Sequence, residues 1–89
     1  MDDDYPLPTI SEARFPELLE IMKGENSFPP TYARWQALWE VRRNQEEANG
    51  FKIQFIEVQP SGFANFCKTR ELPANWHSLI LYTRAKAGQ

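Results

Sequence analysis

The sequence predicts a small, mostly helical α+β domain with about four helices and one principal strand. Three observations carry the prediction. Apolar side chains recur at helical spacing in four separate stretches. One segment, Phe51 to Gln59, alternates with a period of two. Glycine, proline or asparagine stands at nearly every change of pattern. A chain of 89 residues has room for one core, so 1–89 reads as a single globular domain. Six Phe, three Tyr and three Trp are far more than a solvated chain needs, which excludes full disorder.

Residues 1–8 are expected to begin as a partly disordered acidic tail, Met1-Asp2-Asp3-Asp4, and to continue extended through Tyr5-Pro6-Leu7-Pro8. The two prolines have a parity. In a strand, alternate residues turn their N–H groups to the same edge, so Pro6 and Pro8 lose donors on one edge only. Tyr5, Leu7 and Thr9 keep theirs on the other. This segment suits an edge strand and cannot be a central one.

The first helix centres on Phe15 to Lys23, with Phe15, Leu18, Leu19 and Met22 on one stripe, Pro16 in its first turn and Gly24 past its end. Thr9 or Ser11 starts a preceding turn, and Asn26 to Pro30 is a loop. The longest helix runs from about Pro30 or Tyr32 to Ala48. Thr31 is its N-cap, Asn49-Gly50 its stop, and Tyr32, Trp35, Leu38, Trp39 and Arg42 lie on one side.

In the strand, Phe51, Ile53 and Phe55 alternate with Lys52 and Gln54, after which Ile56 and Val58 take over the apolar phase. Either both faces are partly covered, or a bulge near Phe55-Ile56 shifts the register. Ser61 is expected to cap a short helix carrying Phe63, Phe66, Cys67 and Arg70. Asn75 caps a last helix from Trp76 to Ala87, with Trp76, Leu79, Ile80 and Thr83 on one face. The rival for the last segment is a strand over Ser78 to Arg84, because Ile80, Tyr82 and Thr83 favour sheet. The expected core is Phe15, Leu18, Leu19, Met22, Trp35, Leu38, Trp39, Phe55, Phe63, Phe66, Leu79 and Ile80.

One strand cannot satisfy its own backbone. Three partners are available for 51–59: its copy across a two-fold axis, the N-terminal edge strand Tyr5–Thr9, and Ser78–Arg84 if that segment is extended. Apolar residues on both faces favour a covered strand, and a two-fold dimer supplies cover.

The chemistry-bearing residues are few. One histidine and one cysteine exclude a Cys/His zinc site within one chain, and Asp2-Asp3-Asp4 lacks the spacing of a calcium loop. Cys67 and His77 are the only nucleophile–base candidates, but Cys67 continues an apolar stripe. Ser61-Gly62 at a helix start can hold one anion, yet the same residues are simply good caps. No cofactor is expected, and no run of apolar residues is long enough for a membrane span. The acidic start lacks the pattern of a secretory signal, and the lone cysteine suits a reducing cytoplasm.

Charge is graded along the chain, acidic at the N-terminal third and basic at the C-terminal third. The bland account is mutual neutralisation in the fold or across a dimer. These features favour a non-enzymatic protein–protein interaction module, an adaptor or modulator. It is expected to form a homodimer using Phe51–Gln59, the aromatic helix face, or both, and to meet a further protein; the candidate interface residues are Tyr32, Trp35, Trp39, Phe51, Ile53 and Phe55. The alternative is a nucleic-acid-binding regulator built on the last two helices as a helix-turn-helix. Lys68, Arg70, Arg84 and Lys86 would then meet phosphates, and His77 or Tyr82 would meet bases.

Overall fold

Two prolines decide where the sheet can form. The computed structural model describes residues 4–88. Its elements are β1 (Asp4–Thr9), α1 (Phe15–Ile21), α2 (Tyr32–Ala48), β2 (Lys52–Glu57), α3 (Pro60–Arg70) and α4 (Trp76–Lys86). β1 and β2 pair in parallel, in continuous register from Asp4 opposite Lys52 to Thr9 opposite Glu57. The Val58 N–H donates to the Thr9 carbonyl at 2.7 Å. Thr9 therefore turns its backbone groups toward β2, and by alternation so do Tyr5 and Leu7, while Pro6 and Pro8 face away. The N-terminal segment is thus the ladder partner of β2. The expected acidic tail is corrected from Asp4 onward, where the chain is already strand; Met1 to Asp3 lie outside the described residues.

The unbroken register removes the bulge alternative. The phase slip in β2 reflects two faces with different cover: Ile56 and Val58 are buried, Phe51 and Phe55 are exposed. The strand is also shorter than 51–59, because Val58 and Gln59 lead into α3.

The helices follow their end signals. The Thr31 hydroxyl accepts from the Arg34 N–H at 3.2 Å, and the Asn75 side chain accepts from the Ser78 N–H at 3.0 Å. Gly50, at φ 93°, takes the left-handed geometry that ends α2. Ser61 is not a cap, since α3 starts at Pro60 with Gln59 as its N-cap. Residues 78–84 are helical, which corrects the strand alternative. Thr83, a poor helix former, is buried with its hydroxyl donating to the Leu79 carbonyl at 2.8 Å, so no polar group is stranded.

The core differs from expectation in a consistent way. Leu38 and Phe55 are exposed, and Ile80, Leu19, Trp39 and Phe66 are only partly buried. Their places are taken by Leu7, Ile10, Phe28, Ile56, Val58, Cys67 and Tyr82. Several of these sit in the sheet or in loops, where helical spacing gives no signal. Phe28 is the clearest case: it leaves the loop to stack between Phe15, Trp35 and Trp76, with ring centroids 5.2–6.0 Å apart. The loop is tied down by the Trp76 indole N–H, which donates to the Ser27 hydroxyl at 2.7 Å, and by the Trp76 backbone N–H, which donates to Glu25 at 3.0 Å.

Candidate functional site

The residues expected at an interface divide sharply. Trp35 is 2% exposed and belongs to the core, stacked among Phe15, Phe28 and Trp76, so it offers nothing to a partner. Tyr32 and Trp39 pack against the same core and are partly buried. The Tyr32 hydroxyl donates to the Ile10 carbonyl at 3.0 Å. Ile53 is half-buried, and Phe51 and Phe55 are 41% and 54% exposed. The open apolar surface therefore belongs to β2, not to the aromatic stripe of α2. Sequence spacing missed a second open pair, Leu38 and Val41 on α2. Leu38 lines a small cleft with Trp39, Arg42, Trp76 and Ile80. The signal for these two was available only in part: Val41 lies at the edge of the helix's apolar stripe, while Leu38 sits on it yet is 44% exposed.

The backbone beside Phe51 and Phe55 is also open. Because Val58 pairs with Thr9, the even-numbered residues Lys52, Gln54 and Ile56 turn their backbone toward β1, and Ile53, Phe55 and Glu57 turn theirs to the outer edge. Two groups along that edge are already used. The Phe51 N–H donates to the Glu46 carbonyl at 3.0 Å, and the Glu57 carbonyl accepts from Lys86 Nζ at 3.2 Å. Among the described residues the backbone groups of Ile53 and Phe55 have no partner on that side. On the side-chain face, the Tyr5 ring meets Phe51 at 5.4 Å, and the Tyr5 hydroxyl accepts from Arg42 at 3.3 Å.

A cleft of about 290 Å³ lies between α2 and the sheet, lined by Tyr32, Gln36, Trp39, Glu40, Arg43 and Phe55 among others. The Trp39 indole N–H is buried without a hydrogen-bond partner among the described residues. Glu40 and Arg43 pair with each other at 3.8 Å, and both are solvated.

The Cys67–His77 pair is not assembled. Cys67 is buried with its thiol directed at the Pro73 carbonyl, 4.0 Å away, and His77 is exposed on the first turn of α4. Burial pushes the Cys67 thiol up, away from the thiolate a nucleophile needs. The same Pro73 carbonyl accepts from the Ser78 hydroxyl at 2.6 Å, so this cluster holds the α3–α4 turn.

The basic residues stand at helix ends. Lys68 and Arg70 occupy the last turn of α3, Arg84 and Lys86 the last turn of α4, where each opposes the negative end of the helix dipole. Arg70 and Arg84 line one cleft with Phe66, Leu72 and Leu81. Arg70 lies over the Phe66 ring, 4.6 Å from its centroid. Tyr82 is 6% exposed and packs against Phe63 and Phe66, which overturns its expected contact with bases. Its hydroxyl would lie 2.8 Å from a Cβ at position 62, so Gly62 is explained by room for this ring rather than by an anion cradle.

No group of three or more His, Cys, Asp or Glu side chains converges in metal-binding geometry among the described residues. Among the described residues no helix is long and apolar enough to cross a membrane. The chain matches no protein-family model, and comparison with characterised proteins and with solved structures finds no significant similarity.

Proposed function

We propose that the protein is a non-enzymatic interaction module that presents β2 to another polypeptide in a reducing, cytoplasmic setting. One observation carries this reading: an unpaired strand edge lies beside two exposed phenylalanines. Main-chain groups on such an edge add a strand from a partner, and the side chains on its face set the specificity. Natural sheets usually cover or blunt an edge of this kind, so an open one marks a site. Affinity capture from the source cell, with wild type and Phe55→Asp in parallel, tests it. The expected result is a specific partner recovered with wild type and lost with the variant. Equal recovery from both overturns the use of β2.

A second reading, contact with a nucleic-acid backbone through Lys68, Arg70, Arg84 and Lys86, draws support from Arg70 and Arg84 sharing one cleft. It ranks lower because Tyr82 is buried and Lys86 is engaged with Glu57. Its test is a salt titration of duplex binding, in which log affinity falls by about 0.9 per log salt for every phosphate met.

A further inference from the structure

We infer that the polypeptide β2 accepts is a second copy of this chain, paired antiparallel about Ile53 to give a four-stranded sheet ordered β1-β2-β2-β1. The inference rests on the interaction-module reading and names its partner.

The edge chemistry selects both the partner and the register. The outer edge of β1 is closed, since Pro6 and Pro8 have no N–H to offer there. Only the outer edge of β2 can extend the sheet, and two identical edges meet antiparallel about a two-fold axis normal to the sheet. The outward groups of Ile53 and Phe55 must then find their partners on the outer edge of the opposite β2, which allows few registers.

With the axis at Ile53, Phe51 opposes Phe55 of the second copy, Ile53 opposes itself, and Phe55 opposes Phe51. On the other face Lys52 opposes Gln54. From 51 to 55, apolar meets apolar and polar meets polar at each position. The Phe51 N–H, already given to Glu46, costs the ladder one bond on each side. The Ile53 N–H groups still donate to the opposite Ile53 carbonyls, and the Phe55 N–H groups donate to the opposite Phe51 carbonyls.

Neighbouring registers are poorer. An axis at Lys52 sets the two Lys52 side chains against each other. An axis at Gln54 sets Phe51 against Glu57 and Lys52 against Ile56. An axis at Phe55 needs the Glu57 carbonyl as acceptor for Ile53, where the Lys86 ammonium already donates and crowds the approach of a second strand. The strand is thus complementary to itself in one alignment, with Lys86 closing the end beyond it.

Sedimentation equilibrium of the pure full-length chain tests the inference, with circular dichroism confirming the fold of each variant. Wild type is expected to dimerise reversibly at micromolar to tens of micromolar concentration, as suits a short ladder. Ile53→Pro removes a donor from the outer edge only, by the parity that Pro6 and Pro8 follow, and should weaken the dimer at least ~10-fold with the helices intact. Phe51→Lys alone and Phe55→Glu alone should each weaken it comparably. Combined in one chain they should restore it, because the introduced lysine of one copy then faces the introduced glutamate of the other at both ends of the ladder. That rescue depends on the Ile53 register. A wild-type chain still monomeric at ~100 μM overturns the inference, as does a dimer indifferent to Ile53→Pro. In the monomeric case, a foreign partner captured by wild type and lost with Phe55→Asp leaves the interaction-module reading standing while the self-pairing falls.

Discussion

β1 and β2 form the same ladder, yet their outer edges are opposites. β1 turns two prolines outward and buries Leu7 to 1% exposure; β2 turns out two backbone units that are unpaired among the described residues and leaves Phe55, the register partner of Leu7, more than half exposed. The contrast teaches that a strand's edge is set by the parity of its residues and not by their average hydrophobicity. The same alternation that points Pro6 and Pro8 away from β2 points Ile53 and Phe55 away from β1.

The strongest test of that parity compares neighbours in β2. The Gln54 N–H faces β1, so Gln54→Pro removes a ladder bond in a two-stranded sheet and should destabilise by about 3 kcal/mol or more. Ile53→Pro removes an N–H that has no partner among the described residues and should cost far less. Urea titrations of both, followed by circular dichroism under dilute conditions, should separate their midpoints widely. Equal losses would mean that the edges are not distinct.

A smaller effect sharpens the comparison across the ladder. Leu7→Ala empties a fully enclosed position and should cost about 2–5 kcal/mol. Phe55→Ala, one strand over in the same register, should change the stability of the single chain by no more than about 0.5–1 kcal/mol. For a domain of this size each kcal/mol moves Tm by ~4–8 °C, so thermal melts resolve the two.

Much of this architecture is legible in the residues themselves. Helix positions follow from stripes and caps: Thr31 and Asn75 do what their residue types suggest. The pairing edge of β1 follows from Pro6 and Pro8. What stays hidden depends on burial from outside the local repeat. Phe28 is an aromatic residue in a loop, and no periodicity marks it as core. Leu38 shares the spacing of Trp35, but it stands at a cleft with Trp76 and Ile80 that leaves it 44% exposed. Trp35 and Phe55 look alike as interface candidates, and only the fold reveals that one is enclosed and the other open. The free edge itself becomes readable only with the β1–β2 register, because parity on β2 has no sequence marker comparable to proline.

Pro6→Ala probes the closed edge. It restores an N–H to the outer side of β1 and loosens the unfolded chain, which should cost about 0.4–1 kcal/mol. The edge gains a donor it lacked, so concentration-dependent light scattering should rise relative to wild type. Unchanged scattering would mean that bulk at Pro8, which is buried, suffices to protect β1.

Lys86→Met has a comparably small expected effect on stability, and it discriminates most finely among ladders. Lys86 Nζ donates to the Glu57 carbonyl at 3.2 Å and stands 5.7 Å from the Tyr82 ring centroid. Methionine keeps much of the apolar stem and removes the charge, so the single chain should lose only about 0.5–1.5 kcal/mol. The released carbonyl becomes available as the acceptor that an axis at Phe55 requires. Disulfide trapping reads the axis directly, because two cysteines facing each other across a two-fold lie within the ~4.4–6.8 Å Cα range of a bridge. Cys67 is buried and protonated at neutral pH, so it competes little. With Lys86 in place, Ile53→Cys should cross-link under mild oxidation and Phe55→Cys should not. In the Lys86→Met background, cross-linking through Phe55→Cys should appear. If Phe55→Cys cross-links equally in both backgrounds, Lys86 does not set the end of the edge.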